Sequence, residues 1–207
     1  MKTRLVASAI AAAAVVVGVA ACSPNEQASN ASTGSSTAHD MSAMASAGPS
    51  STVVGTAAHN GADVMFAQMM LPHHEQALVM SDIVLGKSDI PAQVRDLAEQ
   101  IKKAQGPEIA QLQAWLKQWN APTSAHMDHE MDGMLSETEL DELRAASGTD
   151  AAKLFLKQMI EHHEGAVDMA EEEIADGKNA DAIEMARSIV DSQRKEIDQM
   201  KQMLTGL

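Results

Sequence analysis

A fifteen-residue stretch occurs twice in the 207-residue chain, and it limits the fold more than any other feature. Phe66, Met70, His73, His74, Glu75, Ala77 and Met80 recur as Phe155, Met159, His162, His163, Glu164, Ala166 and Met169, all at one offset of 89 residues. Phe66 and Phe155 are the only phenylalanines in the protein. Repetition over such a distance marks a duplicated supersecondary unit, so the unit has to be found before the fold is read.

The unit extends beyond the His-His stretch. Leu97, Ala98, Ile101, Gln105, Glu108, Ile109, Leu112 and Leu116 correspond to Met185, Ala186, Ile189, Gln193, Glu196, Ile197, Met200 and Leu204 at an offset of 88 residues. Apolar positions at helical spacing run through both members of each pair, and no segment alternates like a strand. The sequence therefore predicts helices over 63–85, 91–119, 151–176 and 180–205. Asp63 is expected to cap the first and Gly86 to end it, with Pro91 in the first turn of the second and Gly177 closing the third. Gly106-Pro107 predicts a kink or break in the second helix. A polar connection over 120–135 leads to a short helix, opened by a Ser136/Glu139 capping box and ended by Gly148. The expected fold is all-α: a four-helix bundle of two helical hairpins, repeated over about 63–119 and 151–205, with a short extra helix in the central connection.

The segment before the bundle has a different composition. Lys2 and Arg4 precede an apolar run, Val6 to Ala21, in the pattern of an export signal over residues 1–21. It ends in Val19-Ala20-Ala21-Cys22, which resembles the lipobox of bacterial lipoproteins. That resemblance implies cleavage before Cys22, the only cysteine, and its lipidation, hence a membrane anchor on the outer face of the cytoplasmic membrane. Residues 22–60, rich in Ser, Ala, Thr and Gly, are expected to be a tether that cannot offset its ordering entropy by burial. Residues 61–207 form the expected domain. Without the leader, 13 basic residues face 29 acidic ones, a balance that argues against nucleic acid and favours cations.

At about 100° per residue, Phe66, Met70, His73, Ala77 and Met80 share one stripe, as do Phe155, Met159, His162, Ala166 and Met169. His74 and His163 fall about 100° round, toward the bundle rim, and are expected to look outward. A buried imidazole needs a partner. Gln105, Gln193, Glu108 and Glu196 on the facing helices could supply one, and a metal is the other choice. Thioether plus imidazole is a soft donor set that suits Cu(I) and not the oxygen-seeking Mg²⁺ or Ca²⁺. The connection repeats this chemistry with His126, Met127, His129, Met131 and Met134.

The twofold pattern Phe-x-x-x-Met-x-x-His-His-x-x-Ala-x-x-Met resembles the DUF305 family of bacterial exported proteins. Met131-Asp-Gly-Met134-Leu-Ser and Gln193-x-x-Glu196-Ile197-x-x-Met200 fit it too. The resemblance implies a ferritin-like bundle and, as in some members, copper binding by Met and His. That carries over to Met70, His73, His74, Met80, Met159, His162, His163 and Met169. The expected function is non-enzymatic copper sequestration or homeostasis. The same residues leave two alternatives: a metal-free envelope module locked by a His–Gln/Glu network, and a di-iron oxidase. The latter lacks glutamates where Met70 and Met159 stand. No nucleophile–base set, phosphate loop or basic groove supports a hydrolase.

Overall fold

The computed structural model describes residues 58–123 and 131–207. The expected export signal, Cys22, His126, Met127 and His129 lie outside the described residues. Among those described, every regular element is a helix: α1 (Gly61–Leu85), α2 (Ala92–Gln118), α3 (Glu137–Ala145), α4 (Gly148–Asp176) and α5 (Ala180–Gly206). None is long and apolar enough to cross a membrane.

The ends of the helices follow local chemistry and correct three expectations. Asn60, not Asp63, caps α1; Asp63 sits three residues in and completes a capping box with it. Gly148 does not end α3, which stops at the Ala146 cap; it opens α4 with φ +54°, a conformation that favours glycine. The Ser136/Glu139 capping box is present. α2 runs unbroken through Gly106-Pro107. The Pro107 ring is exposed, while Ile101, Gln105 and Leu112 are buried on the other side, so packing carries the helix through the missing N–H. α1 likewise continues through Pro72, whose neighbours Leu71, His73 and His74 are all buried.

α1 packs along α2, α4 along α5, and the two hairpins meet through α1 and α4. α3 covers part of both α1 and α4. The architecture is thus the expected bundle of two hairpins, with α1 and α4 as its inner pair. Its apolar core has two lobes. One holds Ala77, Met80, Phe155 and Met159, closed by Leu140 and Leu143 of α3. The other holds Phe66, Met70, Ala166 and Met169 with Trp115 and Trp119. Each fully buried large side chain contributes roughly 1.5–3 kcal/mol. Along α1 and α4 the His-His pairs fall between the lobes.

The central connection is seated on both inner helices. Gln76 of α1 receives the Leu135 amide at 2.7 Å and donates to the Leu135 carbonyl at 2.8 Å. Gly133 of the connection (φ +82°) and Gly165 of α4 meet backbone to backbone; a Cβ on Gly165 would lie 2.2 Å from the Asp132 carbonyl oxygen. Gly165→Ala is therefore expected to displace the 131–134 turn and cost about 1–3 kcal/mol, as overpacking does. Gly61→Ala, whose added Cβ meets nothing within 4 Å, should leave stability unchanged or raise it by up to about 1 kcal/mol. Urea denaturation of the two variants checks the contrast.

Candidate metal centre

Where α1 crosses α4, the rings of His73 and His162 meet in a tilted contact, with centroids 3.7 Å apart and planes inclined at 43°. They occupy equivalent positions in the two repeats. The pseudo-twofold axis relating the hairpins therefore passes between them. Both are fully buried, and none of their four ring nitrogens has a hydrogen-bond partner. Burial, reinforced by the neighbouring His74 and His163, pushes His73 down to about 3; the Asp132 backbone opposes this weakly, without a formed hydrogen bond. His162 is held far below the usual histidine range, again by burial first and then by the surrounding imidazoles. Two neutral imidazoles thus press together in the buried interior.

His74 and His163 do not look outward. Both are fully buried. The reason is the inner position of α1 and α4: each has neighbours on more than one side, so its buried arc is wider than the single stripe of a surface helix. His74 Nε2 lies 2.9 Å from the Glu108 carboxylate, and His163 Nε2 lies 2.7 Å from that of Glu196. A neutral imidazole in this arrangement donates Nε2–H to the carboxylate and keeps its Nδ1 lone pair free. In both residues Nδ1 is buried and unpartnered. Gln105 and Gln193, the other facing pair, do not reach the histidines. Both Gln105 amide atoms and Gln193 Oε1 are also buried without partners.

The thioethers flank this layer on both sides. Met70 and Met169 lie in one apolar lobe and Met80 and Met159 in the other, all four buried. From the connection, Met131 and Met134 are half-buried in a turn closed by a 3.1 Å bond from the Met134 amide to the Met131 carbonyl. That turn rests on the backbone of Glu161, His162 and Gly165, beside the imidazole layer. The structure therefore brings His73, His162, His74 and His163 into one layer with methionines above and below. Among the described residues no three His, Cys, Asp or Glu side chains form a metal-sized group. Glu108 and Glu196, the carboxylates that a di-iron set would call on, each engage a histidine.

One buried acidic pair escaped the sequence reading. Asp63 accepts backbone amides from Lys178 and Asn179 at 2.9 and 2.7 Å and another from Asn60. Burial alone would raise its pKa, but these bonds and the Glu173 carboxyl hold it low. Glu173 is pushed up to about 8, by burial and then by Asp63. The signal was present: Glu173 follows Ala166 and Met169 at helical spacing, on the buried stripe of α4.

Residues 63–204 match the family described as "Domain of unknown function (DUF305)". The chain belongs to the DUF305 family. A DUF305 fragment from Deinococcus radiodurans is 35% identical, with a TM-score of 0.66 over 72% of this chain and 98% of that one. A DUF305 protein from Streptomyces coelicolor, described as secreted, is 33% identical, with a TM-score of 0.66 over 70% and 93% of the two chains. CopM, solved in its Cu(I)-bound form, is 32% identical, with a TM-score of 0.59 over 70% and 96%. CopM has also been solved with Cu(II), with Ag and in the apo form. No curated protein matches the chain.

The buried groups give the metal-free protein a defined pH response. His73 and His162 protonate in the unfolded chain near 6.5 but resist it when folded, His73 down to about 3. The unfolded state then binds more protons as pH falls, so stability drops below 6.5, by up to about 1.4 kcal/mol per pH unit per histidine. Glu173 works in the other direction. It keeps its proton in the folded state up to about 8 but loses it in the unfolded chain near 4.5, so its contribution is lost as pH rises through that window. Thermal melts from pH 4 to 9 should show both flanks. Glu173→Gln should raise the melting temperature at pH 8.5 more than at pH 5; an equal effect at both would contradict the assignment.

Proposed function

We propose that this protein is an exported lipoprotein, anchored through Cys22, that binds copper as Cu(I) and sequesters it or hands it on without catalysing a reaction. The observation that carries the reading is the His73–His162 contact, with four buried ring nitrogens and no partner. An unsatisfied buried polar group costs about 1–3 kcal/mol, and a soft cation at these nitrogens would recover that loss. The donor set fits: neutral imidazoles, with Met70, Met80, Met159 and Met169 as buried thioethers on both sides. Soft sulfur donors select Cu(I).

His74 and His163 supply Nδ1 lone pairs on rings already oriented by carboxylates, the arrangement by which outer-shell acids fix a ligating imidazole. Met131 and Met134 stand at the edge of the layer, where an ion could be passed to or from the connection and its His126, Met127 and His129. CopM, similar over 70% of this chain, has been solved with copper bound, and this supports copper as the cargo. Export is supported by the leader sequence and by the Streptomyces relative described as secreted.

Purified protein titrated with Cu(I) against a colorimetric Cu(I) chelator should retain the ion. His73→Gln with His162→Gln should weaken binding by at least about 100-fold, and Glu108→Gln with Glu196→Gln by about 10–100-fold. At an ion concentration one hundred times Kd, binding adds about 2.7 kcal/mol to stability, a rise of about 5–10 °C in melting temperature for a domain of this size. A melting temperature that does not move with Cu(I), together with no retention against the chelator, would favour the metal-free module held by the His74–Glu108 and His163–Glu196 pairs.

A further inference from the structure

Among the described residues, α3 covers one end of the bundle and no element covers the other, and the repeats differ there in chemistry. At that other end a cavity of about 100 Å³ lies between the start of α1 and the end of α4. It is lined by Met65, Met69 and Met169, with Glu172, Glu173 and Asp176 around them. Met65 is 52% exposed, one of two large apolar side chains so exposed among the described residues. Met65 and Met69 are one helical turn apart on α1 and so share a face; Met169 comes from α4. The Glu173 side chain also lines the cavity, is 1% exposed, and neither of its oxygens accepts a protein N–H.

Duplication does not account for these residues. At the offset of 89, Met65 corresponds to Leu154, Met69 to Gln158 and Glu173 to Val84. Only Met169 has a thioether counterpart, Met80. The equivalent place at the other end is closed by α3: Leu154 packs into the apolar lobe, and Gln158 donates to the Glu139 carbonyl at 3.2 Å. A core-packing role would suit an aliphatic residue at position 65 equally well, but there the side chain is half in water.

We propose that Met65, Met69 and Met169 form a second site, at the mouth of the bundle, that captures a soft monovalent cation, Cu(I) or Ag(I), before it reaches the histidine layer. Three thioethers from two facing helices can converge on one ion, a donor set that selects soft cations over the hard ones an acidic surface also attracts. Glu172 and Asp176 at the rim raise the local cation concentration. Met169 belongs both to this cavity and to the apolar lobe containing Met70, so the mouth adjoins the buried thioethers next to His73. The choice of ion rests on the copper reading; the location of the site rests on the cavity and on the divergence between the copies.

The test uses full-length protein with methyl-¹³C methionine, titrated with silver(I) nitrate and followed by two-dimensional NMR, each methyl being assigned by a single Met→Leu substitution. The Met65 and Met69 methyls should shift together and saturate with one ion, in the wild type and in the His73→Gln/His162→Gln variant alike, and Met169 should move with them in the variant. Movement of Met70, Met80 and Met159 without Met65 and Met69 would overturn the mouth site and leave the core reading standing. No methyl shift at all would overturn both. Loss of the Met65 and Met69 shifts in a histidine variant whose circular dichroism is native would also overturn an independent site. Should that variant not fold, Met65→Leu/Met69→Leu serves instead, since neither side chain is in the sealed core. It should bind one equivalent of silver fewer than wild type, and an unchanged stoichiometry would refute the proposal.

Discussion

Two imidazoles pressed together without a hydrogen bond, at the crossing of the two inner helices, set the terms for the rest of this structure. Such a contact is unfavourable by itself, because each unpaired nitrogen has given up water for nothing. It persists because what surrounds it is favourable. Apolar lobes lie on either side along α1 and α4. The turn of the central connection rests over His162, and the two flanking histidines are held by carboxylates from α2 and α5. A leucine pair at positions 73 and 162 would make a simpler core. A local choice that conflicts with stability in an otherwise consistent fold points to function.

The pseudo-twofold axis explains how one short motif yields a two-sided centre. A residue on the axis meets its own copy, as His73 meets His162. Residues off the axis are sorted to opposite sides: Met70 joins Met169, and Met80 joins Met159. Each lobe therefore receives one methionine from before the His-His pair of one repeat and one from after that of the other. Neither hairpin carries the arrangement alone. Duplication supplies both the core that holds the hairpins together and the buried histidines and methionines at its centre.

Much of this was legible in the sequence, for physical reasons. Helical periodicity and the offset of 89 gave two hairpins, and the rare residues on the shared stripe gave the centre its chemistry. The expected outward placement of His74 and His163 failed because a helical wheel treats a helix as having one buried face. α1 and α4 have neighbours on several sides, which no single-helix pattern records. The expected break at Gly106-Pro107 failed because a proline whose ring faces water loses one backbone bond but leaves the opposite stripe packed. The cap of α1 was misplaced by one turn because Asn60 and Asp63 bond each other reciprocally, so either could be read as the start. The Asp63–Glu173 pair joins residues 110 positions apart, and local pattern has no access to such a contact.

Where the two copies agree, they cannot separate a binding role from a packing role, since both follow from descent from one hairpin. Where they disagree, the roles separate. Gln76 in one copy and Gly165 in the other grip the same connection in different ways, one by hydrogen bonds and one by close backbone approach. Leu154 and Gln158 lie beneath α3, while no described helix covers Met65 and Met69, which line a cavity. The central connection and α3 therefore break the symmetry of the bundle: α3 covers one end, and the cavity lined by Met65, Met69 and Met169 lies at the other. On the proposed reading, an ion bound at the histidine layer would then have an asymmetric approach to a nearly symmetric site, with the cavity and Met169 on one side and Met131 and Met134 of the connection on another.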